Sequence, residues 1–181
     1  MAKTCQTHPL RIAPVPVPGT SGVLGLTLCP GKVTPPGESG DWRRDLATDL
    51  RAIRDWGACA LVTLIEAREM EAYRVADLPR RAAAEFAHFW LPIPDGGVPD
   101  AAWERRWAQA GAHIRDLLKG GGKVVIHCMG GLGRTGTIAA RLLVEFGAEA
   151  EEAMAAVRAA RPGAIETLGQ EAYVRRQGPA G

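Results

Sequence analysis

The chain has 181 residues, enough for one well-packed domain and too few for two of ordinary size. Apolar residues make up 46% and charged residues 23%, the balance of a globular protein, and a formal net charge of +2 gives a nearly balanced surface that argues neither for nor against a nucleic-acid partner. No run approaches the ~20 apolar residues that span a bilayer, and the segment from Met1 to Thr20 carries charges and prolines but no apolar signal core, so a cytoplasmic setting is expected.

In chain order, residues 1–10 read as a loose end and Arg11 to Val17 as an extended, proline-punctuated stretch. Gly22 to Cys29 reads as a strand, and Pro30 to Gly40 as a Pro/Gly loop. Asp41 is placed to cap a helix over 42–56, with Trp42, Leu46, Leu50, Ile53 and Trp56 at helical spacing. Cys59 to Ile65 is a continuous apolar run, as expected of a strand buried on both faces. Short helices are expected around 67–72 and 78–86, then a strand from Phe89 to Ile93. The loop Pro94 to Asp100 precedes an amphipathic helix over 101–118, whose stripe of Trp103, Trp107, Ala110, Ile114 and Leu117 reads as core. Gly120–Gly122 stops that helix, and Lys123 to His127 is a short buried strand. Helices over 134–146, 149–159 and 166–176 complete the chain, with 178–181 as a second loose end. Strands alternating with helices predict a single α/β domain over 11–177, with a mainly parallel sheet of four to five strands and helices on both faces.

The chemistry concentrates after the last strand. Cys128 and Arg134 bracket Met129, Gly130, Gly131, Leu132 and Gly133 in a Cys-x5-Arg loop that opens a helix. Such a loop turns backbone N–H groups inward as an anion nest, and its glycines allow curvature where side chains would clash or need positive φ. Arg134 supplies a permanently charged fork for two phosphate oxygens. The same field favours a thiolate at Cys128, so one cup holds the phosphate and activates the nucleophile. Met129 to Arg134 are therefore the expected phosphate-binding residues. Gly131-x-Gly133-x-x-Gly136 also satisfies the dinucleotide fingerprint, but no later strand is expected to complete its βαβ unit. The plain alternative is a glycine-rich turn beside a buried structural cysteine.

Ester cleavage needs a proton for the leaving oxygen. Asp95 lies in the Pro/Gly loop and is favoured as the acid, whereas Asp100 is explained as a helix cap. The Thr135 hydroxyl is placed either to donate to the Cys128 sulfur or to cap the helix. His127 reads as a positioning residue, and Gln170 either orients the hydrolytic water or is a solvated helix residue. Cys29 and Cys59 read as core residues, and no metal-like cysteine spacing is present.

These residues carry a resemblance. His127-Cys128-x5-Arg134-Thr135 resembles the signature of the protein tyrosine phosphatase superfamily, and the chain is similar to its dual-specificity members, above all the cyclin-dependent-kinase-associated phosphatase group. Pro92 to Asp100 is similar to that group's acid loop, Cys128 to Arg134 to its phosphate loop, and Gly163 to Gln170 to a segment near its C-terminal helix. The resemblance covers about 22–177. It implies hydrolysis of phosphotyrosine, with phosphoserine or phosphothreonine also accepted, through a phosphocysteine at Cys128. Asp95 serves first as acid and then as base, and no metal or cofactor takes part. Two departures stand out. Ile65 occupies the place where relatives carry a second, redox-active cysteine, and the phosphate loop has no lysine. The expected partner is a phosphorylated protein met by a monomer, without nucleic acid or membrane. A non-protein phosphate and capture of phosphorylated partners without turnover remain the alternatives.

Overall fold

The computed structural model describes residues 1–38 and 40–180, so Ser39 of the predicted Pro/Gly loop and Gly181 of the predicted loose end lie outside the described residues. The elements are β1 (Ala13–Pro16), β2 (Val23–Thr27), α1 (Leu46–Asp55), β3 (Ala58–Thr63), α2 (Ala67–Ala72), α3 (Leu78–Ala83), β4 (Ala87–Trp90), α4 (Ala101–Lys119), β5 (Lys123–His127), α5 (Gly133–Glu145), α6 (Ala150–Ala160) and α7 (Leu168–Arg175). The five strands form one sheet in the order β1-β2-β5-β3-β4. Only β1 runs antiparallel to its neighbour. Its two prolines sit on an edge strand, where a missing N–H costs the ladder least.

β5 lies at the centre because it is apolar on both faces. Val124, Val125 and Ile126 have no exposed surface, and helices cover them. In register, Thr27 and Thr63 flank His127 at the carboxyl ends of three parallel strands. This is the edge at which open α/β sheets build their sites. α5 starts there and is buried along nearly its whole length, packed on α6 and α7. Its apolar residues, together with the small residues Gly136, Ala139 and Ala140, allow that close approach; a Cβ at Gly136 would meet Ala164 Cβ at 2.9 Å. α4 packs on β5, with Trp103 and Trp107 stacked 5.0 Å apart in the core as the stripe predicts.

Several boundaries differ from expectation for physical reasons. The first helix begins at Leu46, and its cap is Asp45, whose carboxylate accepts from Thr48 N. Asp41 is not the cap, because Trp42 and Arg43 are extended and bridge to Lys3 and Val33. β4 starts two residues earlier than predicted and ends at Trp90, although Leu91 and Ile93 go on donating to the Thr63 and Leu64 carbonyls as the chain passes into the proline-bearing loop. Cys59 is exposed, whereas Cys29 is buried. Residues 1–10 are not a loose end throughout. Lys3 bonds Asp41 through its N–H, and the Cys5 thiol donates to Asp49 Oδ1 at 3.3 Å. Ala180 near the other terminus donates to the Glu145 carbonyl.

Asp49 organises the segment that leads to the site. It is buried on α1 and holds Arg44 through bonds of 2.7 and 2.8 Å, and it accepts from Gly31 N. Removing one partner of a buried pair leaves the other charge uncompensated. Asp49→Ala is expected to lower the unfolding free energy by about 3–5 kcal/mol, read from urea denaturation followed by tryptophan fluorescence.

Candidate active site

The loop between β5 and α5 holds Cys128, which is buried. Gly131 turns it, with φ at +71°, and a Cβ there would lie 2.2 Å from the Thr27 carbonyl oxygen. Gly133 is tightly packed, since a Cβ would lie 3.1 and 3.2 Å from the amide atoms of the buried Gln170 and would displace the exposed Glu166 carboxylate. Gly130 departs from the sequence reading. Its φ is not positive and nothing lies within 4 Å of a Cβ there, so neither strain nor crowding demands glycine.

Arg134 is buried, and its guanidinium is gripped from behind by a residue the sequence reading missed. Glu69 on α2 accepts from Nη1 and Nη2 at 2.8 Å each, and the Ile93 carbonyl accepts from Nη1 at 3.0 Å. Burial opposes the charge on Arg134, but the Glu69 hydrogen bonds together with the nearby Cys128, Glu69 and Asp95 charges outweigh it and hold the guanidinium more firmly protonated than usual. Burial likewise raises the Glu69 pKa, while its bonds to Arg134 and to Glu66 N bring it below the ordinary range. The signal was present in Glu66-x-x-Glu69, a capping box in which Glu69 reaches back to the Glu66 N–H. A short capped helix following a buried strand sits at the site edge of the sheet, but only the fold shows that its N3 carboxylate faces Arg134.

Two buried side-chain polar atoms lack a partner among the described residues, Arg134 Nε and Thr135 Oγ1. Both are donors at the head of α5, and such groups are costly unless a ligand uses them. The helix cap is Leu132, so Thr135 does not serve that role, and its hydroxyl makes no hydrogen bond to the Cys128 sulfur in this structure. Asp95 stands at the mouth. Its carboxylate is 82% exposed and its Oδ1 lies 3.1 Å from Arg134 Nη2. Asp100 caps α4, accepting from Trp103 N at 2.7 Å. Gln170 is fully buried rather than solvated. Its Oε1 accepts from Glu166 N and Thr167 N, and its Nε2 reaches the Gly97 carbonyl at 3.3 Å, so it ties α7 to the loop that carries Asp95. Tyr73 donates to Glu38 Oε2, and burial together with that carboxylate pushes its pKa up to about 12.

His127 supports the loop from below. Its Nδ1 lies 3.0 Å from the Cys128 carbonyl, which can only accept, so Nδ1 carries the proton. Nε2 must then accept from the Thr63 hydroxyl at 2.9 Å, and Thr63 in turn accepts from His88 Nε2 at 2.9 Å. Burial keeps His127 neutral, with its pKa down at about 4. It is therefore a positioning residue. Among the described residues no group of His, Cys, Asp and Glu could hold a metal ion, and no helix is long and apolar enough to cross a membrane.

A buried thiol and a guanidinium with a free donor, joined by a glycine-bearing loop at the N-terminus of a central helix, define a cysteine-dependent phosphatase site. Comparison with known proteins agrees. Residues 37–148 match the family model described as polymorphic toxin system, DSP-PTPase phosphatase. The chain is 31% identical over 176 residues to Cyclin-dependent kinase inhibitor 3 of Rattus norvegicus, covering 92% of this chain and 77% of that one. It is 38% identical over 79 residues to Tyrosine-protein phosphatase CDC14 of Saccharomyces cerevisiae, covering 43% of this chain and 14% of that one. Among solved structures, a kinase-associated phosphatase with serine in place of its catalytic cysteine superposes with a TM-score of 0.81 at 29% identity, covering 92% of this chain and 93% of that one. The chain belongs to the dual-specificity phosphatase family of cysteine-dependent enzymes. It is a phosphatase with a five-stranded, mostly parallel sheet.

Glu69→Gln keeps the side-chain shape and removes the charge behind Arg134. It is expected to lower kcat/KM on an aryl phosphate about 10- to 100-fold, the worth of a hydrogen bond to a charged group, with the far-ultraviolet circular dichroism unchanged.

Proposed function

We propose that this enzyme hydrolyses phosphomonoesters on proteins, phosphotyrosine first and phosphoserine or phosphothreonine as well. Cys128 is the nucleophile, Arg134 the clamp and Asp95 the proton donor. The reading rests chiefly on the state of Arg134. Glu69 and Ile93 hold its two terminal nitrogens while Nε stays buried without a partner, which suits a donor reserved for a phosphate oxygen. The names of relatives such as Tyrosine-protein phosphatase CDC14 and Dual specificity protein phosphatase CDC14B support a protein substrate.

The phosphoryl group sits against the N–H groups of residues 129–134 and Arg134 Nε. The Cys128 thiolate attacks phosphorus as the P–O bond to the leaving group breaks, and Asp95 gives its proton to that oxygen. Water then attacks the phosphocysteine, its proton passes to Asp95, and the Cys128 thiolate leaves. The Thr135 hydroxyl, without a partner in the resting site, donates to that departing sulfur. Gln170 holds the acid loop through Gly97, and its amide is the group near α5 suited to orient the attacking water. All four cysteines are free thiols, in keeping with action in the reducing cytoplasm.

Cys128→Ser is expected to abolish turnover of a small aryl phosphate while retaining vanadate or tungstate binding by calorimetry; turnover that survives the substitution rules the mechanism out. Asp95→Ala is expected to lower kcat by ~10²–10⁴, the usual general-acid contribution, with KM little changed. If Asp100→Ala has that effect instead, the acid is wrongly assigned.

A further inference from the structure

The two edges of the sheet differ. An open edge invites pairing with another chain, and proteins blunt it with prolines, charge or cover. β1 carries Pro14 and Pro16, which cannot donate to an added strand, and α6 packs on it. β4, at the other edge, has no such device. Its residues are Ala87, His88, Phe89 and Trp90, and none of them is fully buried. His88 is the one titratable side chain among them, and burial keeps it neutral, with its pKa down at about 4.

The register fixes which backbone groups of β4 are spare. Trp90 pairs with Thr63, and Leu91 N donates to the Thr63 carbonyl at 2.9 Å. Alternate residues of a parallel strand bond to the same neighbour, so Phe89 and Leu91 face β3. His88 and Trp90 therefore turn their N–H and C=O groups outward, and no turn or loop backbone bonds to them among the described residues. Trp90 adds apolar surface. Its side chain remains exposed, at 41%, while its indole N–H donates to the Ile65 carbonyl at 2.9 Å. The ring is thus held at the catalytic end of the strand, beside the residues that open α2 and lead to Glu69. A tryptophan fixed through its N–H and partly open to water is the kind of residue on which interfaces anchor.

We infer that the free edge of β4 docks the phosphoprotein substrate, which adds an extended segment to the sheet alongside His88 and Trp90. The inference rests on the phosphatase reading above. The edge is continuous with the cup. From Trp90 the chain runs three residues to Ile93, whose carbonyl accepts from Arg134 Nη1 at 3.0 Å. An added strand lies three strand spacings from β5, about 14 Å, and Cys128 follows β5 directly. Extended chain advances about 3.3 Å per residue, so substrate residues about four to six positions from the phosphorylated one reach the edge while the phosphate lies over Cys128.

The test compares kcat/KM for a phosphotyrosine peptide reaching eight residues to either side with that for the same peptide cut to two residues on each side. Wild type is expected to favour the long peptide about tenfold or more, the worth of a few backbone hydrogen bonds, chiefly through KM. N-methylation of the peptide amides four to six positions from the phosphotyrosine leaves the enzyme untouched and should bring the ratio towards one, as should Trp90→Ala. In the Cys128→Ser protein, the long peptide should slow deuterium exchange at the His88 and Trp90 amides about tenfold or more by NMR, and the short peptide should not. Equal kcat/KM for the two peptides, a preference that survives N-methylation, or unprotected His88 and Trp90 amides overturns the docking edge, while turnover of the short peptide upholds the parent reading. If neither peptide is hydrolysed, the parent reading fails too. If those amides become protected on raising the protein concentration without peptide, the edge belongs to a second copy of this chain and the substrate assignment is overturned.

Discussion

The grip of Glu69 on Arg134 is the constraint around which the site is arranged. A guanidinium buried beside a thiol is expensive unless something fixes it, and a carboxylate from a different helix does so through both terminal nitrogens. The pair joins α2, which follows β3, to α5, which follows β5. It therefore ties neighbouring parallel strands together at the edge where the chemistry lies. Because Glu69 also closes its own helix through the Glu66 N–H, its carboxylate is held from two directions, and the orientation of Arg134 is set by the fold before any substrate arrives.

The floor beneath the thiol is organised with equal economy. The chain from His88 through Thr63 to His127 and the Cys128 carbonyl crosses three adjacent strands, and each donor has one acceptor. It works only if His127 stays neutral, which its burial ensures. The most exposed part of the site lies at the mouth of the cup. Asp95 is exposed on a loop anchored through Ile93 at one end and Gly97 at the other, the second by way of Gln170. A firmly held cup thus faces an exposed carboxylate, the one we propose as proton donor.

Much of this was legible in the residues. Val124, Val125 and Ile126 could only be a strand buried on both faces, and Cys-x5-Arg with glycines leading into a helix could hardly serve anything but an anion. Trp103 and Trp107 declared themselves as core by their spacing. What stayed hidden depended on contacts between distant segments. Asp41 and Asp45 are equally good caps on paper, and the choice was made by Lys3 and Val33 pairing with the residues between them. Cys59 looked like core within an apolar run, yet it falls on an exposed stretch of β3. Gln170 could be read as orienting the hydrolytic water or as a solvated helix residue, and its burial against Gly133 and Gly97 is visible only in the fold. Glu69 carries a capping motif, but that motif says nothing of Arg134; the pairing exists because the sheet order brings the segments after β3 and β5 to one edge.

Gly130 has no positive φ and has open space where a side chain would begin, unlike Gly131 and Gly133 in the same loop. The loop therefore contains one site free of steric veto, at its outer rim beside a cavity lined by Arg11, Lys32 and Arg161. Paralogues could diverge there by a single codon, acquiring bulk or charge that changes which ligands are admitted, with the anion-binding backbone preserved. In such a loop selectivity and catalysis are separable traits, and natural variation in the first need not be bought with loss of the second.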